Sequence, residues 1–187
     1  MPDPIDRPRY ALLIQLPRAA EIRIEETFLP LAGITKPTMG FHISLLGPFY
    51  LCADAPVSML EHVPRACAQQ PPFSVRLAGL GAFRSPDNNG VFLQIVDPKP
   101  VLALHDALLG ELAPDLLLAD ERYRAWNVDE YEPHVTLGLS LSDKELVELL
   151  RAAQNHPFDL SFGVKEIWLA EQAPNTPWRM MQAVPLG

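Results

Sequence analysis

The chain has 187 residues, 48% of them hydrophobic, with 23 acidic against 15 basic side chains and a formal net charge of -8. That composition supports a packed interior and excludes a disordered chain, and its acidic balance excludes a surface built to neutralise the many phosphates of a long nucleic acid. No apolar run reaches the eighteen or so residues of a membrane span, "MPDPIDRPRY" lacks an apolar signal region, and the two cysteines, Cys52 and Cys67, form no CxxC pattern, so the expectation is a soluble cytoplasmic monomer without a metal ribbon or disulfide framework. In chain order, "YALLIQLP" (10–17) reads as a buried strand bounded by Pro17, and "RAAEIRIEETFL" (18–29) has helical spacing that stops before Pro30. "FHISLLGPF" (41–49) is the next strand, and 56–69 is helical with Pro64 expected to kink or shorten it. "FSVRLAGLGAF" (73–83) and "GVFLQIV" (90–96) are strands joined through the turn-rich "RSPDNN".

A helix over 100–112 opens with Pro100, and residues 113–133 form a long irregular stretch containing Arg122, Tyr123, Arg124, Trp126 and Tyr131, which reads as a functional loop. The strand "HVTLGLS" follows, then the helix "SDKELVELLRAAQ" with Ser142 as cap and Glu145 three residues later, then the strands "FDLSF", "KEIWLAE" and "RMMQAVP".

Two segments repeat one another. His42, Ser44 and Leu45 of "FHISLLGPF" have the spacing of His134, Thr136 and Leu137 of "PHVTLGL", 92 residues further on. The surrounding order of strand, helix, His-bearing strand and helix, then a strand introduced by Pro-Phe, also recurs. This predicts an internal duplication about a pseudo-twofold axis, an α+β chain in a single domain of two lobes, 1–85 and 86–187, that exchange strands around a central groove. Side chains alternate along a strand, so each histidine shares a face with the hydroxyl two residues on, about 7 Å away. An imidazole and a hydroxyl at that spacing suit a phosphate group. Two such arms supply two rings titrating near pH 6.5, fitted to general base and general acid roles on opposite sides of a phosphorus atom, with no metal required. With five histidines, the chance of two such matches is on the order of a few in a thousand.

On "HISLLGPF", "PHVTLGL", the intervening "LGAFRSPDNNGVFLQIV" and the closing "WRMMQAVPL", the chain resembles the two-histidine (2H) phosphoesterases, in particular their 2'-5' RNA ligase-like branch. The resemblance implies a bilobal α+β fold with one motif from each lobe, and metal-independent hydrolysis of 2',3'-cyclic phosphates or 2'-5' phosphodiester bonds. It further implies His42 and His134 as the catalytic pair, Ser44 and Thr136 as phosphate ligands, and no cofactor. Phe49, Arg84, Tyr123, Trp126 and Trp178 are substrate-binding candidates: Phe49 and Trp178, like Phe83, by stacking a base, Arg84 by meeting phosphate or ribose, and Tyr123 and Trp126 as members of the 113–133 loop. His62, His105 and His156 join no constellation and read as structural or surface residues. The expected partner is a small nucleotide or an RNA-end phosphodiester, with neither long nucleic acid nor membrane. A nucleotide-binding module without turnover and a reversible 2'-5' RNA ligase remain open on the same residues. A metallohydrolase lacks a chelating pattern, and a serine hydrolase lacks a G-x-S-x-G elbow.

Overall fold

The structure, a computed structural model, describes residues 7–51, 56–84, 89–114, 116–118, 131–155 and 157–187. Its order is β1 (Arg9–Gln15), α1 (Arg18–Phe28), β2 (His42–Leu51), α2 (Pro56–Ala68), β3 (Phe73–Phe83), β4 (Asn89–Ile95), α3 (Lys99–Leu112), β5 (Leu116–Leu118), β6 (His134–Leu141), α4 (Asp143–Ala153), β7 (Asp159–Val164), β8 (Glu166–Gln172) and β9 (Arg179–Pro185). The α+β class read from the sequence is the class observed.

The strands form one antiparallel sheet in the order β7-β3-β4-β6-β2-β1-β8-β9, with β5 on β2. The two His-bearing strands are therefore neighbours at its middle. Their registered contact is one pair, Ile43 opposite Val135, one residue inside the start of each strand. On either side the regular registers Ile14↔Ile43 and Leu93↔Val135 extend this pair into a four-residue row that is at most 1% exposed. The alternate residues Leu12, Leu45 and Leu137 continue the same buried layer. Period-two alternation then turns His42, Ser44, His134 and Thr136 to the opposite face.

Helices cover the apolar face. α3 packs on β2 and on α2, while α4 packs on β4 and β6. His105, 2% exposed on α3, bonds through Nδ1 to the Leu45 carbonyl at 2.7 Å, so it locks helix to sheet, in keeping with the structural role expected. α4 starts with a complete capping box: Ser142 accepts from the Glu145 amide at 3.3 Å, and the Glu145 carboxylate accepts from the Ser142 amide at 2.8 Å.

α2, Pro56–Ala68, covers the stretch read as helical with Pro64 inside it; Val63, Ala66 and Cys67, all at most 2% exposed, anchor its last turns in the core despite the lost backbone bond. One expectation is corrected. The stretch 113–133 is not irregular throughout, since Leu116–Leu118 pairs with Phe49–Leu51 on the edge of β2 that β6 leaves open. His156 and Cys52 lie outside the described residues. Cys67 is buried, which pushes its thiol up to about 11.

Gly138, just beyond the second motif, marks a close approach: a Cβ built there would stand 2.7 Å from the Gly33 carbonyl oxygen. Gly138→Ala is expected to lower stability by about 1–3 kcal/mol, since backbone rather than a flexible side chain must give way. Thermal denaturation followed by circular dichroism checks this.

Candidate active site

Each histidine opens its strand with the same anchor. His42 Nδ1 donates to the Gly40 carbonyl at 2.9 Å, and His134 Nδ1 donates to the Glu132 carbonyl at 2.7 Å, two residues earlier in both cases. A carbonyl only accepts, so the proton sits on Nδ1 and the lone pair of each neutral ring is at Nε2. The turn before His42 is held from α1. Gly40 has φ +75°, its missing Cβ makes room for the Glu21 carboxylate, and Glu21 accepts the Phe41 amide at 3.1 Å. Glu21 is in turn paired with Arg18 at 3.3 Å and Lys36 at 3.8 Å.

From the Ile43–Val135 pair, one step along the antiparallel strands sets His42 across from Thr136, and one step the other way sets Ser44 across from His134. The histidines thus occupy one diagonal of a quadrilateral and the hydroxyls the other, with sides of about 5 Å across strands and about 7 Å along them. Among the described residues, neither the Ser44 nor the Thr136 hydroxyl bonds within the protein. Outside this quadrilateral, Gln15 pairs with His42 and Leu13 with Ser44 on β1, while Gln94 pairs with His134 and Phe92 with Thr136 on β4. Two rows result: Gln15, His42, Thr136, Phe92 and, running oppositely, Gln94, His134, Ser44, Leu13. Each reads amide, imidazole, hydroxyl, apolar side chain.

The His134 ring lies 4.6 Å from the Phe92 ring and 6.3 Å from Phe83, and these two phenyl rings stack at 6.1 Å over the glycines Gly81 and Gly90. Trp168 on β8 pairs with Leu13 and extends the second row on the far side. Tyr131 ties the approach to β6 onto β2: its hydroxyl donates to the Ser44 carbonyl at 2.8 Å and its ring stacks on His105 at 3.8 Å. Burial holds its phenol well above the usual range.

Burial also holds both imidazoles below the ordinary histidine range, against the opposing pull of their carbonyl partners; for His42, the nearby His134 ring adds to the lowering. Among the described residues no group of three or more His, Cys, Asp or Glu side chains gathers to hold a metal.

The structure brings together His42, His134, Ser44 and Thr136. It separates Phe49, which is 0% exposed in the core with its ring on Tyr10 at 6.2 Å, so it has no face to offer a base. Trp178 is also displaced. It lies beside β9 under the Arg9 guanidinium, 5.8 Å from the ring centroid, and Arg9 is at the opposite end of β1 from Gln15, about 20 Å along the strand. Arg84 is exposed one residue past Phe83, at the rim of the aromatic wall. Tyr123 and Trp126 lie outside the described residues. Gln15, Gln94, Phe92 and Trp168 were not singled out, although a lone glutamine in each of "YALLIQLP" and "GVFLQIV" is a polar interruption of an apolar strand.

Comparisons with known proteins establish the family and the fold. The profile of the 2'-5' RNA ligase superfamily matches residues 20–176. The chain belongs to that superfamily, the two-histidine phosphoesterases. A relative in Bacillus cereus strain G9842, named "Putative phosphoesterase", is 24% identical over 146 residues, 78% of each chain. Among solved structures, apo LigT of E. coli aligns with a TM-score of 0.68 and 19% identity, covering 96% of this chain and 98% of LigT. Usb1 of Kluyveromyces marxianus aligns with a TM-score of 0.57 and 11% identity, covering 97% and 98%. These likenesses show the LigT fold. LigT has itself been solved with 3'-AMP, ATP, phosphate and NADP+.

Because both histidines bind protons less readily folded than unfolded, the unfolded chain holds more protons below about pH 6.5, and stability falls as pH drops from there to the depressed native pKa. The melting temperature is expected to fall on acidification from about pH 7 to 5, and less steeply in the His42→Asn, His134→Asn double variant. Parallel thermal melts across that range check the sign.

Proposed function

We propose that this protein is a metal-independent phosphodiesterase that hydrolyses 2',3'-cyclic phosphate or 2'-5' phosphodiester bonds of nucleotides or RNA ends. The observation that carries the reading is the diagonal placement of two Nδ1-anchored imidazoles with two unengaged hydroxyls between them. In the hydrolytic direction one neutral ring takes a proton from water at Nε2 as the water oxygen bonds to phosphorus. The other ring, protonated, gives its proton to the departing ribose oxygen as the P–O bond on the opposite side breaks. Ser44 and Thr136 donate to the non-bridging oxygens, whose negative charge grows in the transition state. Burial favours the neutral form of each ring, the form that serves as base, and the repulsion of His42 by His134 disfavours a doubly protonated pair, in which no base would remain.

A small substrate is favoured by the net charge of -8 and by the nucleotides found with LigT, whose fold this chain shares. The sheet halves β6-β4-β3-β7 and β2-β1-β8-β9 support two lobes that draw strands from both parts of the chain. Residues 1–85 would then lend β3 to the lobe of the second motif, and residues 86–187 would lend β8 and β9 to the lobe of the first.

His42→Ala and His134→Ala are each expected to lower kcat by at least ~10²-fold with the circular dichroism spectrum unchanged. Turnover of adenosine 2',3'-cyclic phosphate and of a 2'-5'-linked dinucleotide is the assay, and a wild-type-like rate in either variant would overturn the acid-base pair. Dialysis against a chelator is expected to leave activity intact. An inert dialysed enzyme revived by zinc or manganese would overturn the mechanism.

A further inference from the structure

We propose that Gln15 and Gln94 are the specificity-determining amides of this site, each hydrogen-bonding a ribose hydroxyl on its own side of the scissile phosphodiester. The proposal rests on the function proposed above and assigns it a substrate: a diester with a nucleoside on both sides.

Four observations carry it. Gln15 is the registered partner of His42 and Gln94 that of His134, so each amide stands next to one imidazole and on the same face of the sheet. Both sit on the outer side of their histidine, in β1 and β4, away from the hydroxyls that would receive the phosphate. When the 3'-hydroxyl beside a 2'-5' linkage is the nucleophile, one imidazole takes its proton as its oxygen bonds to phosphorus, and the other protonates the departing 5' oxygen, leaving a 2',3'-cyclic phosphate for water to open. Entering and leaving oxygens then both belong to riboses, lie against the two imidazoles and carry their nucleosides outward over the glutamines. Among the described residues, neither side-chain amide bonds within the protein, although Gln15 is half-buried and Gln94 exposed. Gln94 finally lines a cleft of about 350 Å³ between β4, Leu102 of α3 and the segment Tyr131–Pro133 that leads into His134, beside the histidines but with neither of them in its lining.

The chemistry of the side chain fits the task. A carboxamide offers two donors and an acceptor, so it can pair with a hydroxyl in either sense. It also carries no charge. A carboxylate at the same place would hold the adjacent imidazole protonated and remove the base, whereas an amide reads the sugar and leaves the titration of the histidine alone.

The test compares wild type, Gln15→Met and Gln94→Met on two substrates: 2'-5'-linked diadenylate, with a ribose on each side, and bis(4-nitrophenyl) phosphate, with none. Each variant is expected to lose about tenfold in kcat/KM for the dinucleotide, chiefly through KM, as the loss of one well-made hydrogen bond implies. Hydrolysis of the aryl diester is expected to stay within about twofold of wild type. Equal losses on both substrates would mean that the glutamines support the fold or the histidines, and no loss on either would mean that they touch nothing. Both results overturn the proposal. Binding gives an independent readout: in 1H–15N spectra of the wild type, the two side-chain NH2 signals, assigned by their disappearance in the variants, are expected to shift on titration with adenosine 3'-monophosphate. Unmoved signals overturn the proposal whether or not the enzyme turns over. A wild type that hydrolyses neither diester but shows the shifts would instead remove the catalytic reading and keep the glutamines as nucleotide ligands.

Discussion

The site depends on one buried row of four side chains, Ile14, Ile43, Val135 and Leu93, laid across four adjacent strands. The middle pair joins the two halves of the sheet. Because the strands are pleated, every residue one step from that row faces the other way, so the apolar registry that seals the core also presents two imidazoles, two hydroxyls and two amides to solvent. A slip of one residue in β2 or β6 would bury the histidine and hydroxyl of that motif and expose Ile43 or Val135, each fully buried now and worth about 1.5–3 kcal/mol in burial alone. The core therefore sets the geometry of the chemistry with no separate device.

Orientation of the rings is a second layer. Each imidazole is held by the carbonyl two residues before it, which needs the chain to turn sharply just ahead of the strand. For His42 the turn is made by Gly40 in the left-handed region and stabilised by Glu21 from α1, whose own charge is matched by Arg18 and Lys36. For His134 the approach is fastened by Tyr131, stacked on the buried His105, which also bonds to the backbone of β2. The two motifs are thus alike in sequence and in anchoring, but the supports behind them differ: a carboxylate network at one, an aromatic stack at the other.

The environment of the rings also differs between the sides. His134 rests on the Phe92 ring, which can lie flat only because Gly81 on the next strand has no side chain. Leu13 holds the equivalent place beside Ser44, with Trp168 beyond it. Local symmetry of the imidazoles and hydroxyls is thus combined with unlike walls, as the proposed reaction would require to accept different groups on the two sides of one phosphorus atom.

The α+β class, the main strands and helices, the α4 capping box and the repeated His-x-Ser/Thr motif are local patterns, written in alternation, caps and spacing over a few residues, and they were readable from the sequence. That His42 and His134 would face one another was expected from the repeat, but their register was not. It comes from a single pairing between residues 92 positions apart, and no local propensity encodes that choice. For the same reason nearness in sequence or an aromatic ring does not bring Phe49 and Trp178 to the site: in space one is core and the other lies at the far end of β1. Gln15 and Gln94 are the converse case: they belong to other strands, and only hydrogen-bonded pairing across the sheet sets them beside the histidines. β5 was missed because three leucines are too short a run to declare a strand until β2 offers them an open edge. Side-chain chemistry and its period are properties of the chain itself; which groups meet is decided by the burial of apolar faces from distant segments, and that exists only in the folded molecule.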